Sequence, residues 1–396
     1  MGVASSVPPA ACVYGEQGEL GPLLCVALSA SRVAGGGSGP NVLSVARGAV
    51  DLYHAVSGDR RMRLVAPHDG ALTAAAFLDD TIIGPTVALG SAAGAVHLVS
   101  AATLTVGRTL VTSGDAASTA SSMSEVMRPR LGSGLDLPPG APTAPAAAAG
   151  GALRSAVTAV AWRSATSLLV GHADGSTRAF SVSSGALEAV FNLPAGATPL
   201  TAVTAVASCA TPSGAALVAV GHGDGTVVLH DARDERDGAD AALVIGTALK
   251  GLSQLLALPS LGCVAALAQG TNQLVLLDLS SGRSVTLDFG AELHSVGRSY
   301  SRLSAAVWDD TRGVLLCGAD DGAVYVRSVR RIAETADFAV RLVRVAKPAQ
   351  SARAPAKITA LGGLSRADAL VTGGEDGLVR RVIKVTGKDS PSSPGK

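Results

Sequence analysis

The sequence predicts an all-β fold, namely a seven-bladed β-propeller of four-stranded antiparallel blades that is closed by an N-terminal strand. Three observations predict it. A short pattern of apolar strand, tight turn and second apolar strand recurs in seven places among the 396 residues. The copies are spaced at nearly the length of one propeller blade. Further apolar strands lie before and after most copies, which makes four antiparallel strands per unit.

The clearest copies of this pattern have Asp-Gly between two apolar, β-branched runs. Asp-Gly is a strong hairpin signal because tight primed turns need positive φ, which Asp tolerates and Gly adopts freely. Weaker copies surround Gly48, Gly94 and Asn272, the last of which stands where the others have glycine. We therefore predict a β-hairpin at each copy, with structural turn roles for Asp174, Gly175, Asp224, Gly225, Asp321, Gly322, Asp376 and Gly377.

The seven turns are nearly periodic. They lie near residues 48, 94, 175, 225, 272, 322 and 377 and are separated by 46, 81, 50, 47, 50 and 55 residues. The long interval contains 113–152, which is rich in Ala, Ser, Pro and Gly, and this composition predicts a disordered insertion. The other predicted units are an N-terminal tail (1–10), the closing strand with blades 1 and 2 (11–112), blades 3 to 7 (153–385) and a disordered C-terminal tail (386–396).

The strands around the hairpins complete the blades. The seventh unit lacks an outer strand because it runs into polar residues after Lys384. We expect Ala11–Tyr14 to fill that position, which removes an open sheet edge. Inner strands are predicted at 72–77, 157–162, 201–206, 303–308 and 357–361, and outer strands at 62–65, 187–191, 285–289 and 339–343.

Composition narrows the class of protein further. The five cysteines lie far apart with no C-x-x-C pair, so neither a disulfide framework nor a zinc module is indicated. The first residues lack the charged and apolar segments of a secretory signal. Two uncharged stretches, 189–223 and 251–277, are interrupted by turn-forming and polar residues, so we interpret them as buried strands and not as membrane spans. These features favour the cytoplasm, the nucleus or both.

The residues also carry a family resemblance. The stretch 68–80 (HDGALTAAAFLDD) resembles the loop and inner strand that open a WD40 repeat, and the hairpins resemble its middle strands. Aligning the copies puts the acidic residue of the family's Trp-Asp pair at Asp231 and Asp278, and only His68 matches the loop histidine. The resemblance to these G-protein-β-like propellers covers nearly all of the chain except the insertion and the tails. It implies a protein-binding scaffold, here stabilised by small residues and apolar packing.

Motifs of enzymatic chemistry are absent from the sequence. Phosphate-binding, zinc-protease and nucleophile-elbow patterns do not occur, and the Gly-rich run 35–39 precedes a strand, not a helix that could hold a phosphate. His172 and His222 occupy equivalent places in neighbouring copies and could line the channel mouth, but repeat inheritance explains them better than a metal site. We therefore predict no catalytic residue, cofactor or metal. A propeller enzyme, with carboxylates or histidines converging on the channel, is the competing class.

Charge is uneven along the chain. Residues 324–396 hold 14 Lys and Arg against 6 Asp and Glu, a net charge of +8, whereas the whole chain carries +1. The last two blades thus form a basic sector, which is either a solvated edge or a docking surface for an acidic protein, an anionic membrane or RNA. Few aromatic side chains interleave the arginines, which disfavours nucleic acid. The residues assigned to partner binding are Arg327, Arg330, Arg331, Arg341, Arg344, Arg380 and Arg381.

The N-terminus contains a lipidation candidate. Met1–Ser6 matches M-G-x-x-x-[ST], so Gly2 is a candidate for N-myristoylation, although so short a motif is common by chance. One myristoyl chain binds membranes marginally and needs a second signal, such as a basic patch. The known lipid-binding propellers of this superfamily carry Phe/Leu-Arg-Arg-Gly, and the nearest run here, Val379–Val382, lacks the glycine.

These observations together predict a WD40-like scaffold that mediates protein–protein interaction and the assembly of a multiprotein complex, without catalysis of its own. Partners are expected to contact the face that bears the hairpin turns or the arginine-rich side. The alternative is a peripheral membrane or acidic-ligand-binding propeller that uses basic blades 6 and 7. No transmembrane segment is expected.

Overall fold

Seven four-stranded antiparallel sheets make up the structure, a computed structural model. It describes residues 13–14, 21–29, 41–55, 57–66, 70–80, 83–111, 155–191, 201–232, 241–289, 302–332, 338–346, 356–363 and 369–383. Strands β1 to β28 and one 3₁₀ turn, Pro259–Leu261, lie in these ranges. The predicted insertion 113–152, both predicted tails, His68 and Gly2 lie outside the described residues.

Each of the first three blades uses four consecutive strands, ordered from the centre of the ring outwards. Blade 1 has β2 (Leu23–Ser29), β3 (Asn41–Ala46), β4 (Ala49–His54) and β5 (Arg60–Val65); blade 2 has β6 (Leu72–Asp80), β7 (Gly84–Ser91), β8 (Ala95–Ser100) and β9 (Thr105–Val111); blade 3 has β10 (Val157–Trp162), β11 (Ser167–His172), β12 (Thr177–Ser181) and β13 (Leu187–Phe191).

The next three blades repeat this order. Blade 4 has β14 (Val203–Ala210), β15 (Ala216–His222), β16 (Thr226–Asp231) and β17 (Ala241–Gly246); blade 5 has β18 (Leu252–Leu258), β19 (Cys263–Ala268), β20 (Gln273–Asp278) and β21 (Ser284–Asp288); blade 6 has β22 (Leu303–Asp309), β23 (Val314–Ala319), β24 (Val324–Arg331) and β25 (Phe338–Ala346).

Blade 7 joins the two ends of the chain. It has β26 (Ile358–Gly363), β27 (Ala369–Gly374) and β28 (Val379–Ile383), and its outermost strand is β1 (Val13–Tyr14). Val13 pairs with Arg380 and Tyr14 with Val379 in an antiparallel ladder. Inner strands of successive blades pack on one another, and β26 packs on β2, so the ring is closed. The predicted seven-bladed propeller and its N-terminal closing strand are confirmed.

The apolar core lies between neighbouring blades. Every residue of β3 and β11 is buried, because the second strand of a blade has a neighbouring sheet on both faces. A glycine in β11 allows a close approach: a Cβ at Gly171 would lie 2.4 Å from Val203 Cγ1 on the next blade. Gly90, Gly221 and Gly318 occupy the same place in three other blades. Small residues therefore set the spacing between blades, as the composition predicts.

The Asp-Gly turns differ from the predicted geometry. Gly175 adopts a φ of 86°, whereas among the described non-glycine residues only Leu104 and Ala248 have positive φ. Asp174 is therefore not left-handed, and the expectation of a primed turn with positive φ at Asp is wrong. Instead the Gly175 N–H donates to the His172 carbonyl three residues earlier, at 3.1 Å, and only the glycine is left-handed, as in hairpins with a bulged turn.

Two of the three weaker turns also differ from the prediction. In blade 1, Gly48 is not left-handed. In blade 2, Gly94 has a φ of 78°, in line with the hairpin pattern. In blade 5 the left-handed residue of the turn is Gly270, with a φ of 78°, and not Asn272.

In the described ranges, no helix is long and apolar enough to cross a membrane.

Candidate interaction surfaces

One face of the ring bears the Asp-Gly turns together with the segments that lead into the inner strands. The Asp174 N–H donates to Ser155 Oγ at 3.0 Å, just before β10. The equivalent bond in blade 4 joins the Asp224 N–H to Thr201 Oγ1 at 3.0 Å. These bonds fix each turn against its own blade.

The four turn aspartates share one structural role. In each, a side-chain oxygen accepts the backbone N–H two residues later, which shapes the turn. These bonds are Asp174 to Ser176 at 2.9 Å, Asp224 to Thr226 at 2.9 Å, Asp321 to Ala323 at 2.9 Å and Asp376 to Leu378 at 3.2 Å. The four Asp-Gly pairs therefore have the local geometry of hairpin turns.

His172 and His222 are buried at the ends of β11 and β15. The Nδ1 atom of His222 lies 3.0 Å from the Thr201 carbonyl oxygen, and that of His172 lies 3.4 Å from the Ser155 carbonyl oxygen. Burial lowers the pKa of both rings. They are internal side chains bonded to the backbone and do not line an open channel mouth. Among the described residues, no three His, Cys, Asp or Glu side chains are grouped to hold a metal ion.

A hydroxyl side chain occupies the bulge near the start of the inner strand in six blades. Thr73 Oγ1 donates to the Gly90 carbonyl at 3.1 Å and lies 2.5 Å from the Val157 carbonyl oxygen of blade 3. Blade 1 departs from the pattern, with Leu24 at this place. The hydroxyls therefore bond to β-strand carbonyls within and between blades. The six residues are Thr73, Thr158, Thr204, Ser253, Ser304 and Thr359.

Arg327 is not part of any surface. Its side chain is fully buried, and Cζ lies 3.7 Å from the centroid of the Phe289 ring and 5.7 Å from that of the Tyr325 ring. It lies on the same face of β24 as Tyr325 and Val329, which pack in the core shared with blade 5, so its guanidinium enters the interior between blades 5 and 6. The expectation that Arg327 contacts a partner from the surface is wrong.

Arg380 is also engaged within the fold. Its guanidinium forms an ion pair with Asp376, and only 7% of the residue is exposed. Arg381 and Arg344 lie on β28 and β25, opposite Val371 and Val326 respectively; their side chains lie outside the described part of the structure. Blade 7 therefore contributes less exposed positive charge to the basic sector than its number of arginines indicates.

Three arginines of blade 6 remain accessible to different degrees. Arg330 and Arg341 are exposed, whereas Arg331 is half-buried. Arg331 forms an ion pair with Asp278 of blade 5 and lies 3.4 Å from the Leu261 carbonyl oxygen. Arg330 and Arg341 are thus the exposed part of the assigned arginines, and Arg331 links two blades.

Polar links between blades are the residues that sequence reasoning missed. The Gln254 amide both donates to the Ala306 carbonyl at 2.8 Å and accepts the Ala306 N–H at 2.9 Å. Trp162 Nε1 donates to the Ala76 carbonyl of blade 2 at 3.1 Å. The partners lie dozens of residues apart, so no local pattern could have identified them. A Gln at an inner-strand position that otherwise holds small or apolar residues was the one available signal.

The four described cysteines are packing residues. Cys317 is buried and Cys25 is half-buried, and desolvation raises the pKa of each thiol to about 12. The same cause raises the pKa of Cys209 and Cys263 to about 12. None of these four described thiols ionises near neutral pH, so none is a nucleophile there.

Comparison with known proteins supports the fold. No protein-family model matches the chain, and no curated protein is detectably similar in sequence. Among solved structures, a chain from "Crystal Structure of Mitotic Checkpoint Complex" is similar with a TM-score of 0.59 and 13% sequence identity. The similarity covers 88% of this chain and 87% of that chain. The protein is a seven-bladed β-propeller, and its similarity to that chain is one of fold.

Proposed function

We propose that this propeller is a protein-interaction platform of the cytoplasm or nucleus, on which partners assemble into a complex without catalysis by the ring itself. The proposal rests on the hydrogen bonds of polar side chains in the interior, which are made to the backbone of the fold itself. His172, His222 and Gln254 bond to backbone groups, as do the inner-strand hydroxyls. Groups that would do chemistry in an enzyme here hold strands and blades together.

Rigidity is the property that suits such a ring to binding. The closing ladder of β1 with β28 and the links between blades hold its surfaces in one arrangement. A surface that is already ordered loses little conformational entropy when a partner binds. Exposed charges on such a ring can therefore select partners by electrostatic complementarity.

A second candidate function is the binding of an acidic ligand or an anionic membrane by blade 6. It is supported by Arg330 and Arg341, which are both exposed. Membrane association would use a myristoyl group on Gly2 as a second signal beside these arginines. It predicts that a Gly2→Ala variant is lost from the membrane fraction.

Affinity purification of the intact protein followed by mass spectrometry tests the platform function. The test compares the wild type with an Arg330→Ser/Arg341→Ser variant, and with an Arg47→Ser/Arg108→Ser variant that removes two exposed arginines from blades 1 and 2. A reproducible partner set, rebuilt afterwards from purified components, supports the proposal. Absence of such a set, together with turnover of a small molecule by the purified ring, contradicts it.

A further inference from the structure

The outer hairpin of blade 6 is longer than those of the other bulged blades. In these blades a bulge interrupts the ladder between the third and fourth strands. Past the bulge, blades 1, 3 and 4 have one described pair of facing residues, and blade 2 has two. Blade 6 has five, from Arg327 opposite Leu342 to Arg331 opposite Phe338. The last pair between β23 and β24 is Val314 with Ser328. Residues 329–331 and 338–340 therefore form a two-stranded ribbon that extends past the rest of the blade.

One face of this ribbon is fixed to blade 5. Val329 and Phe338 are buried in the apolar core that blades 5 and 6 share. Arg331 forms its ion pair with Asp278, whose side chain is itself buried. A two-stranded ribbon alone is marginally stable in water. These contacts hold it in place and order it before any partner binds.

The opposite face and the outer edge are open. Arg330, Arg341 and Ala339 are exposed, and Ala339 lies directly opposite Arg330 in the ladder. Within the described part of the chain, β25 is an edge strand that pairs with β24 alone. An edge strand presents backbone N–H and C=O groups that can pair with another chain.

We propose that the edge of β25 over residues 338–342 is a docking site for an extended, acidic segment of a partner protein, which adds to blade 6 as a fifth strand. This inference rests on the proposed platform function and names the kind of partner. Main-chain hydrogen bonds supply affinity in strand addition, and alternate side chains supply specificity. Acidic side chains at alternate positions of the added strand lie beside Arg341 and Arg330, and the small Ala339 leaves room between them.

Charge decides between an acidic partner and a second copy of this chain. Pairing of two β25 edges would bring Arg341 of each copy close together, and like charges facing each other across a sheet are destabilising. Edge arginines also discourage aggregation. That role alone, however, does not require a ribbon that extends past the blade and is anchored to blade 5 by Arg331 and Asp278.

The test measures fluorescence anisotropy of a labelled peptide, EVELEVET, with the full-length protein. We expect saturable binding to the wild type, weakened about tenfold or more by Arg330→Glu/Arg341→Glu because two attractive charges become repulsive. The matched Arg47→Glu/Arg108→Glu variant should change affinity by less than about twofold, since those residues lie on blades 1 and 2. Thermal unfolding of each variant verifies that it is folded.

A second peptide separates strand addition from simple charge attraction. It has the same side chains but carries N-methyl groups on alternate backbone amides, which removes the donors that would pair with β25. We expect this peptide to bind about tenfold or more weakly. Equal binding of both peptides, or no saturable binding of the first, would overturn the proposal.

Three further outcomes distinguish the docking edge from a membrane surface and from the platform function. Vesicles of phosphatidylserine that bind wild type and not the charge-reversed variant, with no peptide binding, would overturn the acidic-segment docking site in favour of a membrane surface. Purified partners that remain bound to the Arg330→Ser/Arg341→Ser variant would overturn this docking edge and leave the platform function standing. Peptide binding with no cellular partners would support the edge and contradict the platform function.

Discussion

Arg327 illustrates how the position of a residue on a strand decides its role. It lies on the face of β24 that carries Tyr325 and Val329, both buried. Its guanidinium stacks on Phe289 and contributes both apolar contact and cation–π attraction. Counting charges along the chain places it with the exposed arginines of blade 6. The strand alternation of Tyr325, Arg327 and Val329 was the signal that could have distinguished it.

Substitution of Arg327 is expected to be far more damaging than substitution of its exposed neighbour. Arg327→Ser leaves a cavity beside Phe289 and should destabilise the fold by about 3 kcal/mol. Arg330→Ser should change stability by about 0.5 kcal/mol or less, because an exposed side chain is removed. Urea denaturation followed by tryptophan fluorescence measures both. Equal midpoints for the two variants would contradict the buried position of Arg327.

Gly171 offers a second test at the residue scale, on the spacing of blades 3 and 4. A Cβ there would lie 2.4 Å from Val203 Cγ1 and 3.0 Å from Val203 Cβ. Val203 is buried and β-branched, so it moves little. We expect Gly171→Ala to destabilise the protein by about 2 kcal/mol through overpacking. The control is Gly48→Ala, where no atom lies within 4 Å of the added Cβ, and its urea midpoint should not fall.

At the scale of strands and hairpins, the sequence predicts that a strand is present better than it predicts where the strand begins and ends. The predicted strands at 157–162 and 187–191 coincide with β10 and β13. The outer strand predicted at 339–343 is longer, because the pattern of apolar and basic residues continues to Ala346 past a bulge at Val343. Nothing in that pattern shows where the neighbouring strand β23 ends, so the ribbon could not be predicted. The turn geometry was missed because Asp acts through its side chain and not through positive φ.

The anchoring of the ribbon should depend on pH through Asp278. Burial alone would raise the pKa of Asp278, but hydrogen bonds from Ser280 and the charge of Arg331 lower it below the ordinary value of 3.8. A carboxyl with a lowered pKa in the fold contributes stability above its unfolded pKa, and that stability is lost as pH falls through the folded pKa. We therefore expect the ribbon to be fully anchored above about pH 4 and to loosen below it.

Hydrogen exchange of the amides in 329–331 and 338–342 measures this anchoring. At neutral pH, Asp278→Asn should exchange these amides about tenfold or more faster than the wild type, because the ion pair with Arg331 is lost. Below about pH 4 the two proteins should converge once intrinsic rates are corrected. A constant difference across this range would show that the charge of Asp278 does not hold the ribbon. Amides of β11, in another blade, serve as the internal reference.

At the scale of the whole molecule, repetition explains why the ring could be predicted from one sequence. Each hairpin copy predicts its own blade, and closure follows from the missing outer strand of blade 7. The contacts between blades could not be predicted in the same way. Thr73 and Val157 are 84 residues apart, and Gln254 and Ala306 are 52 apart, so only the closed ring brings them together. The exposed charge of blades 6 and 7 depends on the same packing.

Removal of the closing strand tests the ring as a unit. A variant lacking residues 1–14 loses the pairs of Val13 with Arg380 and Tyr14 with Val379, which leaves β28 as an open edge. We expect its Tm in calorimetry to fall by roughly 3–5 °C, equivalent to a few kcal/mol for a chain of this length. A synthetic peptide of residues 8–20 should restore the Tm in a concentration-dependent way, because it binds the folded ring and not the unfolded chain. A scrambled peptide should restore nothing. An unchanged Tm in the truncated protein would mean that β1 does not hold the ring closed.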